Sequence, residues 1–179
     1  MIWRLLSDWL LRLRMAYWRL VYLGYRSRYT IHPGFLFNGA GIQLYGDGRI
    51  ELGNNSYIGE LSTIQAASDH AVRIGEHCHV SHNVRIYTAS ACADSDFRLG
   101  RPPAISGDVS IEDGVWVGAN TYIGPGITIG ANAVVGANSV VTRSIPTSEI
   151  WGGVPARFIR QKRAPTVSTT NSQLGDAGP

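Results

Sequence analysis

Aliphatic residues recur at every sixth position through the middle of this chain: Leu52, Ile58 and Ile64, then Ile74, Val80 and Ile86, then Ile111, Val117, Ile123, Ile129, Val135 and Val141. Numbering those positions slot one, slot two is glycine at 53, 59, 75, 118, 124, 130 and 136, where a side chain would obstruct a tightly wound backbone. Slot four is Asn55, Asn83, Asn120, Asn132 and Asn138, or Gly114 and Gly126, the residue types that best tolerate a left-handed backbone, so it reads as a turn. Slot five (Ser56, Cys78, Val84, Val115, Thr121, Ala133, Ser139) is compact and suited to pointing inward beside slot one.

Short strands joined by such turns must stack, because one coil alone cannot bury its inner face. Three hexads close a triangular coil, so residues 52–69, 74–91, 111–128 and 129–146 predict four coils of a solenoid. Two interruptions stand out: an insertion near 65–73 and a long loop near 90–108. Loops on a rigid scaffold are where chemistry concentrates.

Ahead of the repeat, Trp3, Leu6, Leu10, Leu13, Tyr17, Leu20 and Leu23 recur at steps of three and four, which predicts an amphipathic helix over residues 1–29. Arginines at 4, 12, 14 and 19 leave no apolar run of about 18 residues to span a bilayer. No small-residue cleavage site follows, which argues against an export signal and for a cytoplasmic protein. Tryptophan, tyrosine and arginine together suit a helix lying at a membrane surface, on the inner face. Packing on the domain or on a partner subunit is the other expectation. After residue 163 the repeat ends and apolar content is low, so 162–179 reads as a disordered tail and 30–161 as the solenoid domain.

Composition adds little, but charge placement matters. The net charge of +3 divides into +5 over residues 1–29, +4 over 157–163 and −6 between them. That is not the uniformly basic surface of a nucleic-acid binder. Cys78 and Cys92 cannot form a disulfide framework and lack CxxC spacing, consistent with a reducing compartment.

The run VWVGANTYIGPGITIGANAVVGANSVVTRSIP, followed by WGGVPARFIR, resembles the hexapeptide-repeat acyltransferases, specifically their sugar O-acetyltransferase branch, across about residues 50–161. The resemblance implies an all-β fold, a left-handed parallel β-helix that departs from the usual right-handed crossover. It also implies a homotrimer that takes acetyl-CoA in the groove between adjacent subunits. The expected activity is transfer of acetyl to a hydroxyl of a small-molecule or lipid-linked sugar, a surface-polysaccharide precursor. The alternatives are N-acetylation of an aminosugar and a trimeric scaffold that has lost catalysis.

Acyl transfer needs a base for the acceptor hydroxyl, a donor for the developing oxyanion and a slot that aligns both substrates. The family's basic histidine follows the IYTA hexad, and that position here is Ala91. Two histidines are candidates to replace it. From a coil offset of 22, His70 is expected beneath Cys92, with Asp69 beneath Ala91. His82 lies half a coil away and is expected to act only from a neighbouring subunit. Tyr87, Asp94 and Asp96 are candidates for contacting the acceptor or orienting an imidazole, and Leu61 stands where the family often offers a polar acceptor contact. The resemblance assigns Trp116, Ala119, Ala137, Thr142, Arg143 and Arg160 to coenzyme A. His77, His79 and His82 superficially resemble metal ligands, but no metal is expected, because a further ligand position of the zinc-dependent hexapeptide branch falls on Tyr87.

Overall fold

The structure, a computed structural model, describes residues 2–100 and 102–163. Every turn that the hexad pattern predicts is present. Asn55, Asn83, Asn120, Asn132 and Asn138 have φ between 52° and 60°, and Gly114 and Gly126 have φ of 68° and 73°. At slot two the reason for glycine is close approach: a Cβ on Gly118 would lie 2.4 Å from the backbone nitrogen of Ala137 in the next coil.

Those turns fold the chain into a parallel β-helix of five three-sided coils. The first has β1 (Thr30–Ile31), β2 (Leu36–Asn38) and β3 (Gln43–Tyr45); the second has β4 (Arg49–Leu52), β5 (Tyr57–Gly59) and β6 (Thr63–Gln65). The third has β7 (Ala71–Ile74), β8 (His79–Val80) and β9 (Arg85–Tyr87). An arm of two strands, β10 (Ala89–Ala91) and β11 (Ala104–Ser106), then interrupts the winding. The fourth coil has β12 (Val109–Ile111), β13 (Trp116–Val117) and β14 (Tyr122–Ile123); the fifth has β15 (Thr128–Ile129), β16 (Val134–Val135) and β17 (Val140–Val141). An antiparallel pair, β18 (Glu149–Gly152) and β19 (Arg157–Gln161), continues the second face.

Face one stacks β1, β4, β7, β12 and β15; face two stacks β2, β5, β8, β13, β16, β18 and β19; face three stacks β3, β6, β9, β14 and β17. Register keeps slot one over slot one, Leu52 on Ile74 on Ile111 on Ile129. These side chains fill the interior, and burial of each stabilises the coil by roughly 1.5–3 kcal/mol. Slot five turns inward as expected, and its hydroxyls pair across coils: Ser56 Oγ donates to the Gly75 carbonyl at 2.7 Å and accepts from the Cys78 amide at 2.8 Å. Cys78 and Cys92 are both free thiols.

Five coils are present where the hexad count predicts four. Ile31 sits opposite Leu52, Phe37 opposite Ile58 and Leu44 opposite Ile64, so slot one exists in the first coil. The step from 37 to 44 is seven, and that extra residue hides the coil from a search for sixes. The helix α1 (Ile2–Arg28) closes its open end. Trp18, Val21, Tyr22 and Tyr25 pack on the core, with Tyr22 stacked on Phe37 at 4.4 Å. The Tyr22 hydroxyl donates to the Gly39 carbonyl at 2.9 Å and accepts from the Ile42 amide at 3.3 Å. Arg14 pairs with Glu60, and Arg28 donates to the Gly46 carbonyl.

At the other end, the Lys162 amide donates to the Ser148 carbonyl at 2.7 Å. Most of the tail expected over 162–179 lies outside the described residues. Among those described, no helix is long and apolar enough to cross a membrane.

Candidate active site

The candidate residues fall on two edges of the prism. The edge between faces three and one carries His70, Thr142, Arg143 and the arm. A turn with Asp69 at φ 65° precedes His70, whose amide returns to the Ala67 carbonyl at 3.1 Å. After Thr88 the chain leaves the coil as a hairpin, Ala91 facing Ala104, and rejoins where the Gly107 amide meets the Thr88 carbonyl at 2.9 Å.

The hairpin corrects the expected stacking at this corner. Carrying the offset of 22 past Thr88 is invalid, because residues 89–106 are paired with each other and no longer with the coil below. The residue that stacks on the His70 corner is Asp108, not Cys92. Asp108 Oδ1 lies 3.2 Å from His70 Nδ1 and accepts from the Ala71 amide at 3.0 Å, while Oδ2 lies 3.5 Å from Arg73 Nη1. The Ala71 amide above all holds the Asp108 carboxyl below the usual carboxylate range; burial opposes it, and His70 and Arg73 add smaller lowering effects. An ionised carboxylate only accepts, so in the neutral ring Nδ1 of His70 carries the proton and Nε2 keeps its lone pair. The His70 side chain is one quarter exposed, so that lone pair belongs to a positioned but reachable ring. Asp108 is the residue that inspection of the sequence passes over. The signal was available, since the offset of 37 from Ile74 to Ile111 also carries Ala71 to Asp108.

Asp96 binds Arg98 through Nε at 2.9 Å and Nη2 at 2.8 Å, and caps the short helical turn Phe97–Leu99. The Arg98 side chain lowers its pKa. Asp94 is exposed and contacts neither histidine. Tyr87 lies at the foot of the arm, edge-on to Tyr122 with ring centroids 5.8 Å apart. Burial raises the pKa of the Tyr122 hydroxyl, keeping it neutral.

The edge between faces two and three carries His82, Ala119 and Ala137 in one column, since the Asn120 amide bonds the His82 carbonyl and the Asn138 amide bonds the Ala119 carbonyl. A ladder of asparagine amides, Asn83 to Asn120 to Asn138, runs beside it at 2.8 and 3.0 Å. His82 Nδ1 accepts from the Glu60 amide at 3.0 Å. The neutral ring therefore carries its proton on Nε2 and presents a donor outward, the reverse of His70. On face two Trp116, Val134, Ile150 and Arg160 share one row, which puts Arg160 three strands, roughly 14 Å, from the exposed Trp116.

Within one chain His82, Ala119 and Ala137 share one edge, with Trp116 on the adjoining face, and His70, Tyr87, Thr142 and Arg143 are spread along the other edge. Leu61 holds the slot-four position of its coil with φ 63°, and its carbonyl accepts from Arg85. His79 packs on Tyr57 on face two and His77 forms a turn. No set of three histidine, cysteine, aspartate or glutamate side chains suited to a metal occurs among the described residues.

Residues 108–143 match the family model of the bacterial transferase hexapeptide, six repeats. Among solved structures, a variant of AntD, an N-acyltransferase from Bacillus cereus in complex with dTDP-4-amino-4,6-dideoxyglucose and coenzyme A, is 20% identical, over 75% of this chain and 81% of its own, with a TM-score of 0.60. The polySia-specific acetyltransferase NeuO is 21% identical, over 75% of this chain and 65% of its own, with a TM-score of 0.58. These two share the fold. The hexapeptide-repeat-containing acetyltransferase VCA0836 from Vibrio cholerae is 31% identical, over 73% of this chain and 75% of its own, with a TM-score of 0.48. The chain therefore carries the bacterial transferase hexapeptide repeat over residues 108–143 and shares the β-helix fold of AntD and NeuO.

Proposed function

We propose that this chain is an acetyl-CoA-dependent O-acetyltransferase acting on a hydroxyl of a sugar or surface-polysaccharide precursor. The observation that carries the reading is the His70–Asp108 pair at 3.2 Å, a carboxylate-oriented imidazole with Nε2 free, on the edge from which the arm leaves the coils. His70 Nε2 accepts the proton of the acceptor hydroxyl as its oxygen attacks the thioester carbonyl. The carbon–sulfur bond then breaks, and the departing thiolate takes the proton back from the imidazolium. Asp108 stabilises that imidazolium between the two steps.

The residues present suit the acyl donor. Trp116 is half-exposed at 53%, the His82–Ala119–Ala137 column offers a shallow edge with backbone groups, and Arg143, Arg157, Arg160 and Lys162 supply positive charge for phosphates. Apart from Arg143, which shares the base's edge, these residues lie away from the base, on face two and on the edge between faces two and three. A threefold assembly sets one edge of each copy against the other edge of its neighbour, so a homotrimer completes the site. In that arrangement His82 Nε2–H is a donor for the oxyanion. That AntD is an N-acyltransferase and NeuO a polySia-specific acetyltransferase supports carbohydrate as the acceptor class.

The test is thiol release from acetyl-CoA by the full chain, measured against nucleotide-linked and lipid-linked sugars bearing either a free hydroxyl or a free amine. Turnover that depends on a hydroxyl acceptor and collapses in His70→Ala supports the reading. Turnover with amines only, or none with any sugar, refutes it.

A further inference from the structure

The helix α1 presents two different apolar stripes. Trp18, Val21, Tyr22 and Tyr25 form the inner one, which packs on the first coil. The stripe that the sequence advertises most strongly is not that one. Leu6, Leu10, Leu13, Tyr17 and Leu20 lie about a third of a turn round the helix and are 45–69% exposed. Trp3 and Trp9 flank them at 79% and 55%.

The first ion pair between α1 and the coils is that of Arg14 with Glu60, so the preceding residues, 2–13, project as about 18 Å of helix exposed on every side. Residues 2–28 hold six arginines against Asp8 alone. Arg14, Arg26 and Arg28 are engaged with Glu60 or with backbone carbonyls, whereas Arg4, Arg12 and Arg19 have no side-chain partner among the described residues.

We propose that the projecting half of α1 docks in the plane of an anionic lipid bilayer, with the Leu6–Leu10–Leu13–Tyr17–Leu20 stripe among the acyl chains and Arg4, Arg12 and Arg19 among the phosphates. Charge selects this occupant over a second copy of the helix. Pairing two such helices would bury the stripe but double the cationic charge, with only Asp8 of each to offset it, whereas an anionic surface neutralises it. The helix is too interrupted by arginine to span, so it lies flat. This inference is independent of the acyl-transfer reading.

The experiment is sedimentation of the full chain with vesicles of phosphatidylcholine alone or mixed with phosphatidylglycerol, at low and high salt, with molecular mass measured in parallel. The expected result is binding to the mixed vesicles that weakens with salt. Leu6→Ser, Leu10→Ser and Leu13→Ser combined should weaken it at least tenfold, and Arg4→Gln with Arg12→Gln roughly 25-fold, at about fivefold per charge. None of these residues touches the coils, so the melting temperature should hold. Wild-type protein remaining in the supernatant with phosphatidylglycerol vesicles overturns the proposal. So does a leucine variant that binds as well as wild type, or one whose only change is a smaller oligomer, which would make the stripe a contact between copies.

Discussion

Removing the His70 imidazole tests the chemistry most directly. His70→Ala deletes one side-chain hydrogen bond at a one-quarter-exposed site, a loss of about 1 kcal/mol or less in stability, so the variant folds. General-base catalysis contributes roughly 10²–10⁴ in rate, or about 3–5 kcal/mol of barrier, and that is the expected fall in kcat. Asp108→Asn is the finer probe. Its amide oxygen still accepts from the Ala71 amide and His70 Nδ1, so geometry persists while the charge is lost. The carboxylate is 46% exposed, so its attraction to the imidazolium is screened to about 1 kcal/mol, which predicts a three- to tenfold fall in kcat with KM little changed. The double variant should be no slower than His70→Ala alone, because Asp108 acts only through the ring. The assay is thiol release under saturating acetyl-CoA, with melting curves for each variant. Full turnover by His70→Ala, or losses that simply add in the double variant, would refute the dyad.

Three further outcomes concern stability. Gly118→Ala forces a Cβ to within 2.4 Å of the Ala137 backbone nitrogen and should cost about 1–3 kcal/mol in thermal unfolding, whereas Gly124→Ala, whose Cβ would meet only atoms at 3.6 Å, should cost far less. Leu61→Asn places a residue that accepts φ 63° beneath Asn83 and should stabilise by about 1 kcal/mol, seen as a higher Tm. The lowered pKa of Asp108 means that its contribution is present above the unfolded carboxylate value near 4 and is lost as pH falls through its lower folded value; acid unfolding of Asp108→Asn, compared by circular dichroism, should therefore be less steep than that of wild type over this range.

The repeat made the solenoid legible because each slot answers to a local constraint: an inward aliphatic, a glycine beneath the next coil's backbone, an asparagine at a left-handed turn. Such constraints recur from coil to coil, so they survive in one dimension. What could not be read this way arose where stacking is broken or non-local. Ile31, Phe37 and Leu44 build a coil that only pairing with Leu52, Ile58 and Ile64 reveals, because one extra residue spoils the period. The arm removed residues 89–106 from the winding and so put Asp108, rather than Cys92, against His70. The stripes of α1 follow the same division: its amphipathic character was written in the spacing of Leu6, Leu10 and Leu13, but which face meets the first coil depended on where Phe35 and Phe37 leave room for Tyr22. Sequence alone therefore determined the coil, its turns and its inward residues, since these depend on neighbours six positions apart; tertiary structure decided which side chains meet across coils, since that depends on the length of every insertion between them.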